Sequence, residues 1–161
     1  MAISIRHAEL TDRRDAEAVA RLLASYAADP QAGWGVAIAE EAERRLPESL
    51  DAVPGRVVLL AEDDGRAVGL AICFPGFSTF AARPLLNLHD LVVDPDCRGQ
   101  GVGGKLLEAV DDEARRGGCV AVTLEVLGAN HGAQRLYRRH GFVGGEQIEP
   151  PSAPMFFKKT L

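Results

Sequence analysis

Between Leu88 and Leu107 the chain reads LHDLVVDPDCRGQGVGGKLL: an apolar run, a tight basic and glycine-rich stretch, then the start of an amphipathic segment. A glycine loop that leaves a strand and opens a helix can bind phosphate. Glycine allows left-handed backbone and close approach, and the first N–H groups of the helix have no intrahelical acceptor and favour an anion. Gly99, Gly101 and Gly103 supply the loop, with Arg98 before them and Lys105 after. The spacing differs from the GxGxxG of a dinucleotide site, and no acidic residue is placed to take a ribose. A nucleoside-triphosphate loop would need Ser or Thr after the lysine to hold magnesium, and here Leu106 follows Lys105. The pattern therefore points to the pyrophosphate of a carrier molecule, or to a tight strand-to-helix turn.

Titratable groups flank this loop. His89 and Asp90 lie in the preceding apolar run, and strand alternation sends them to opposite faces, His89 with Leu91 and Val93. An imidazole there can relay a proton near neutral pH; Asp90 can hold an acceptor cation or fix a loop backbone. Glu125, in the next apolar run, is a further candidate base. His7, His89, His131 and His140 are dispersed and Cys97 has no suitable neighbour, so no metal site is expected. A covalent route through Cys97 would need a base beside it, which the sequence does not reveal.

Positioning these groups requires a mixed α/β fold. Residues 3–6 read as a short strand, and Thr11 or Asp12 caps a helix with Ala16, Val19, Ala20, Leu22 and Leu23 at helical spacing. The stretch 27–34 is a loop, and a second helix over 38–46 is expected to stop at Pro47, leaving 47–55 irregular. Strands 56–62 and 67–74 form a hairpin on Asp64-Gly65, Pro75-Gly76 breaks the second, and 77–86 reads as loop or edge. Strand 88–93 is central, and a helix from near Gly101 to Arg116 ends at Gly117-Gly118. The apolar run 120–127 is a strand expected to be covered on both faces, parallel to its predecessor through a right-handed crossover. Asn130 or His131 precedes a short helix through Tyr137 and Arg139, and residues 155–159 form a last strand.

The 161 residues suffice for one hydrophobic core and read as a single domain over 1–161. A formal charge of −5 disfavours nonspecific nucleic-acid binding. Charges and prolines interrupt every apolar run before the roughly 20 residues a membrane helix needs, and the N-terminus lacks a secretory pattern. Cys73, Cys97 and Cys119 leave one over in any disulfide scheme, so a reducing, cytoplasmic setting is expected.

A second segment, Asn130-His-Gly-Ala-Gln-Arg-Leu-Tyr-Arg-Arg-His-Gly-Phe142, narrows the reading. With the glycine loop it closely resembles the GCN5-related N-acetyltransferase (GNAT) family. The family's loop pattern, Arg or Gln-x-x-Gly-x-Gly or Ala, is matched by Arg98, Gly101 and Gly103. Its downstream pattern is matched by Asn130, Ala133, Leu136-Tyr137 and Gly141-Phe142. The resemblance extends over most of the chain and is weakest before Arg56.

The resemblance implies a mixed, centrally splayed sheet with helices on both faces, and acetyl-CoA as co-substrate without a metal. Backbone groups of Leu91, Val92 and Val93 would pair with the pantetheine arm, and main-chain N–H groups of Arg98, Gly99, Gln100, Gly101, Val102, Gly103, Gly104 and Lys105 would surround the pyrophosphate. Arg98 and Lys105 would add charge, Lys105 being alternatively a solvated helix residue, and Gly99 and Gly104 packing positions. Asn130, Ala133 and Tyr137 would line the cofactor, Asn130 also as a helix cap. The N–H near Val92 or Val93 would stabilise the developing oxyanion, and Tyr137 would protonate the departing thiolate. His89 or Asp90 would help the amine lose its proton. The implied reaction is direct acetyl transfer to a primary amine of a small molecule, by a homodimer.

Residues 77–93 are more closely similar to diamine (spermidine/spermine) acetyltransferases, keeping Ser78-Thr79, Leu88 and Asp90 but carrying His89 where that group usually has glutamate. Asp29, Glu40, Glu41 and Glu43 fall where the family often closes over its acceptor, but their arrangement reads first as the solvated face of an ordinary helix. Trp34, Phe77 and Phe80 are candidate acceptor walls or packing residues. Two alternatives stay open: acetylation of a protein or peptide, and a noncatalytic acyl-CoA-sensing module.

Overall fold

The computed structural model describes residues 2–30, 35–145 and 153–161. Trp34 and the Pro150/Pro151 stretch lie outside the described residues. In chain order the elements are β1 (Ser4–His7), α1 (Arg13–Ala28), α2 (Glu40–Asp51), β2 (Val57–Asp63), β3 (Arg66–Ser78) and β4 (Arg83–Val93). A 3-10 turn, Pro95–Cys97, leads to α3 (Val102–Arg116), β5 (Ala121–Leu127), α4 (His131–Arg139), β6 (Val143–Gly144) and β7 (Pro154–Thr160). The strands form one seven-stranded sheet in the order β1-β2-β3-β4-β5-β7-β6. Among the described residues only β4 and β5 pair in parallel, joined across α3.

Two apolar layers sandwich the sheet. Val102, Leu106, Leu107, Val110 and Ala114 of α3 pack with Tyr137 of α4 against Leu86, Leu88, Val122, Leu124 and Phe157. Val19, Leu22 and Leu50 of α1 and α2 pack on the other face against Val58, Leu60, Leu70, Ile72 and Val92. No β5 residue belongs to that second layer, and Glu125 is exposed. The run 120–127 is nonetheless buried on both faces as expected, Ala121 and Thr123 on one and Val122, Leu124 and Val126 on the other, with Glu125 its exposed residue.

Asp12 caps α1, its carboxylate accepting from the Arg14 and Asp15 N–H groups at 2.9 and 3.1 Å. Two expected breaks are absent. Pro47 does not end α2, which runs to Asp51 with the proline inside it. Leu46 and Leu50, one turn apart, both face the second core, so packing outweighs the lost N–H. Nor does Pro75-Gly76 end β3, which continues to Ser78 against β4. Beyond Cys73 it has no β2 partner among the described residues, and a proline is tolerated on such an edge. Residues 83–86, expected as loop or edge, are therefore strand.

Candidate active site

The site's frame is an irregularity in β4. Ile72 pairs with Asp90 while Cys73 pairs with Leu88, leaving His89 as the extra residue of a β-bulge. The bulge resets alternation. Leu88 packs with the α3 layer, and so do Leu91 and Val93, whereas Val92 joins the α1 layer. His89 does not share the face of Leu91 and Val93, nor oppose Asp90. Its ring meets Phe74 edge-on with centroids 5.3 Å apart, and its Nδ1 lies 3.9 Å from an Asp90 carboxylate oxygen. Simple period-two reasoning cannot see a bulge, and so it misplaces His89, whereas Asp90 lies opposite Leu91 and Val93 as expected.

Beyond the bulge β4 and β5 part. Their ladder runs from Leu86–Val122 to Leu88–Leu124 and goes no further, giving the splayed centre expected. The main-chain direction past that point follows from one hydrogen bond. The Asp94 N–H donates to the Val68 carbonyl at 2.9 Å. In the unbroken register back to Asp90, pairs alternate between bonded and non-bonded, so Val92 and Asp90 spend their main-chain groups on β3. Leu91 and Val93 turn theirs toward the gap. Val92 therefore leaves the expected set of open backbone groups, and its side chain is buried beneath α1.

The loop after β4 leaves main-chain N–H groups without side-chain cover. Asp94 caps the 3-10 turn by accepting from the Asp96 N–H at 3.2 Å, and Arg66 holds the same carboxylate at 2.7 Å. Gly99 and Gly101 have φ of +76° and +85°, and a Cβ on either would meet no atom of the chain within 4 Å. Gly101 is the N-cap of α3 with no side-chain cap, leaving the first N–H groups of α3 facing the loop. Val102 is buried in the core beneath. Gly103 and Gly104 serve helix packing instead. A Cβ would come 2.9 Å from Leu136 and 3.1 Å from His140 of the α4 end, so these glycines let α3 and α4 approach.

The two cations beside the loop are both engaged by the protein. Arg98 donates from Nε to the Val93 carbonyl at 3.2 Å and pairs through Nη2 with Asp29 at 2.9 Å. The Lys105 ammonium donates to the Ile3 carbonyl at 3.0 Å, pinning the N-terminal strand rather than standing in solvent. Gln100 donates to the Asp96 carbonyl at 3.0 Å.

Buried polar groups gather on the other side of the gap. Burial pushes the Asp90 carboxyl above its ordinary range, with His89 partly offsetting it. Tyr137 is only 6% exposed, its ring against Phe142 and Phe157. Burial first, and then the neighbouring Tyr26 and Asp90, push its hydroxyl well above the ordinary tyrosine range. Tyr26, near the end of α1, is raised by burial and by Asp90 and Asp29. Asn130 caps α4, accepting from the Ala133 N–H at 3.1 Å. Glu125 sits exposed on β5 opposite Phe156.

Two residues of this region carry no sequence motif. Tyr26 reads as one more position of the α1 stripe, and only the fold brings it to Asp90. Gln134, buried, donates to the Leu127 and Gly128 carbonyls at 3.2 and 2.8 Å and fixes the exit of β5. A polar residue inside an otherwise matched helix motif was the one available signal for it.

Comparison with known proteins agrees with this geometry. The model of a family described as acetyltransferase (GNAT) matches residues 19–142. An uncharacterized N-acetyltransferase of Bacillus subtilis, YhfO, is 36% identical over 86 residues, 53% of this chain and 58% of that protein. The thialysine N-epsilon-acetyltransferase of Bos taurus is 36% identical over 74 residues, 46% of this chain and 43% of that one. The chain spans about half the length of the curated relatives it matches. Among solved structures, yncA, a putative acetyltransferase from Salmonella typhimurium with its cofactor acetyl-CoA, superposes with a TM-score of 0.79 at 23% identity, covering 100% of this chain and 95% of that one. A ribosomal-protein-alanine N-acetyltransferase from Brucella melitensis has the same fold, with a TM-score of 0.75 at 24% identity over 98% of this chain and 99% of that one.

Proposed function

The chain belongs to the GNAT acetyltransferase family, and from that premise we propose that it transfers acetyl directly from acetyl-CoA to a primary amine of a small molecule. One observation carries the reading: β4 and β5 part beside a glycine loop that opens a helix, with the main-chain groups of Leu91 and Val93 turned into the gap. The residues present fit the group on two counts. An amide-bearing arm can pair with the main-chain groups of Leu91 and the Val93 N–H as an added strand, the Val93 carbonyl being held by Arg98, and a diphosphate can meet the loop N–H groups where Gly99 and Gly101 carry no side chain.

When bound, acetyl-CoA supplies an activated acyl carbon and a sulfur leaving group. The chain's residues do the rest. Leu91 and Val93 orient the arm, and the Val93 N–H stabilises negative charge on the acyl oxygen. Gly99 through Gly104 hold the diphosphate through main-chain donors, the Lys105 N–H being already bonded to the Gly101 carbonyl, and Asn130 and Ala133 set the wall beside it. Asp90, whose proton affinity burial raises, accepts the proton of the incoming ammonium, with His89 beside it as the exit to solvent. Tyr137 stays protonated at neutral pH, so its hydroxyl has a proton to give to the departing sulfur, and burial makes it a weaker acid than an exposed tyrosine.

Support for a small acceptor comes from the name of the bovine relative, whose acceptor is thialysine, and from the anionic Asp90 beside the gap. Exposed Phe77, Phe80 and Phe156 support a homodimer as its form, and three free cysteines support a cytoplasmic setting. Gly101→Val tests the cradle. A β-branched residue at φ +85° is strained by about 1–3 kcal/mol, so acetyl-CoA affinity should fall about tenfold or more in calorimetry while circular dichroism stays native. Unchanged affinity would remove the loop from the binding site.

A further inference from the structure

Arg98 opens the loop, yet two of its guanidinium donors are spent on groups outside it. The Nε donor is spent on the Val93 carbonyl at 3.2 Å and Nη2 on the Asp29 carboxylate at 2.9 Å. A planar guanidinium held through two of its donors is fixed in orientation, which a lysine could not achieve. Asp29 is the residue that ends α1, its N–H donating to the Tyr26 carbonyl at 3.1 Å. Tyr26 in turn lies within electrostatic reach of Asp90. A continuous set of contacts thus runs from the first residue of the loop, across the end of β4, to the last turn of α1.

We propose that Arg98 is a positioning residue which, through Asp29, locks the loop to the end of α1, so that filling the loop stiffens the acceptor-side wall that carries Tyr26. This rests on the acetyl-CoA reading of the loop. Its consequence is a positive coupling between the two sites. Cofactor bound at the loop steadies the wall for the amine, and by linkage a bound amine tightens the cofactor by the same factor. Removing the Asp29 charge leaves the main-chain donors of the loop in place, so cofactor binds but no longer steadies α1.

Hydrogen exchange read by mass spectrometry tests this on the intact chain, with CoA as the probe, for wild type, Asp29→Asn and Arg98→Gln. Glutamine is a residue the loop pattern admits at that position, so this variant keeps the test open if the α1 end is weakened by the other. In wild type CoA should slow exchange of the amides at 25–29 by about fivefold or more, the lower end of coupling between two sites. In either variant CoA should still bind, by calorimetry, while slowing those amides less than about twofold. Variants that keep the wild-type protection, or a wild type that binds CoA without protecting 25–29, would overturn the coupling alone. A wild type that binds no CoA would overturn the acetyl-CoA reading and the coupling together.

Discussion

Asp90 is held where burial opposes its charge, with His89 at 3.9 Å as partial compensation. Because its proton affinity is higher in the folded chain than in the unfolded one, the folded state binds more protons above the unfolded value of about 4. The stability this group contributes therefore falls as pH rises from about 4 through the raised folded value. Asp90→Asn removes the charge and keeps the shape. At pH 7 it should melt at or above wild type, a difference that closes below about pH 4, while turnover falls about 100-fold or more. Melting curves across pH, beside rates on an accepted amine, check both halves; a lower Tm at pH 7 would mean that the carboxylate stabilises the fold. At this scale Tyr137, Asn130 and the loop glycines are legible from motif alone. The partners of Arg98 and Lys105 are not, because Asp29 and Ile3 lie far away in sequence. Nor is the placement of His89, since a bulge breaks the alternation that would locate it.

Among the elements, α3, β5 and α4 follow from local signals: a glycine start, an apolar run of strand length, an asparagine cap. Where prolines stand, local signals mislead. Pro47 sits inside α2 because Leu46 and Leu50 are drawn into one core on either side of it. On that account the proline costs the helix stability. Pro47→Ala should raise stability by about 1 kcal/mol, less than the roughly 3 kcal/mol of an ideal helix interior because the half-buried ring loses some packing. That corresponds to a Tm increase of about 2–4 °C. An unchanged or lower Tm would show that the turns before and after Pro47 do not act as one helix. The β3 extension through Pro75 has the same origin in context: the strand lacks a β2 neighbour there, which no local window of sequence records.

The whole molecule is an arrangement for holding two strands apart. β4 is tied to β3 on one side, β5 to β7 on the other, and α3 packs across the join while the ends beyond Leu88 and Leu124 diverge. The mixed, splayed sheet was legible through the resemblance of two motifs, one on each side of β5; periodicity alone yields strands and helices but no gap. Arg6 closes the far end of the sheet, pairing with Asp15 of α1 and Glu62 of β2 at 2.6 and 2.8 Å. The central claim is that the gap and its loop serve acetyl transfer to a small amine. Its most direct test is to incubate the purified chain with acetyl-CoA and a panel of polyamines, amino acids, small primary amines and short peptides, identifying products by mass spectrometry. CoA release should depend on a small primary amine, with that amine recovered about 42 Da heavier, the mass of a transferred acetyl group at about one acetyl per CoA released. Acetylated peptide with every small amine untouched, or bound acetyl-CoA with no acetylated product, would contradict it.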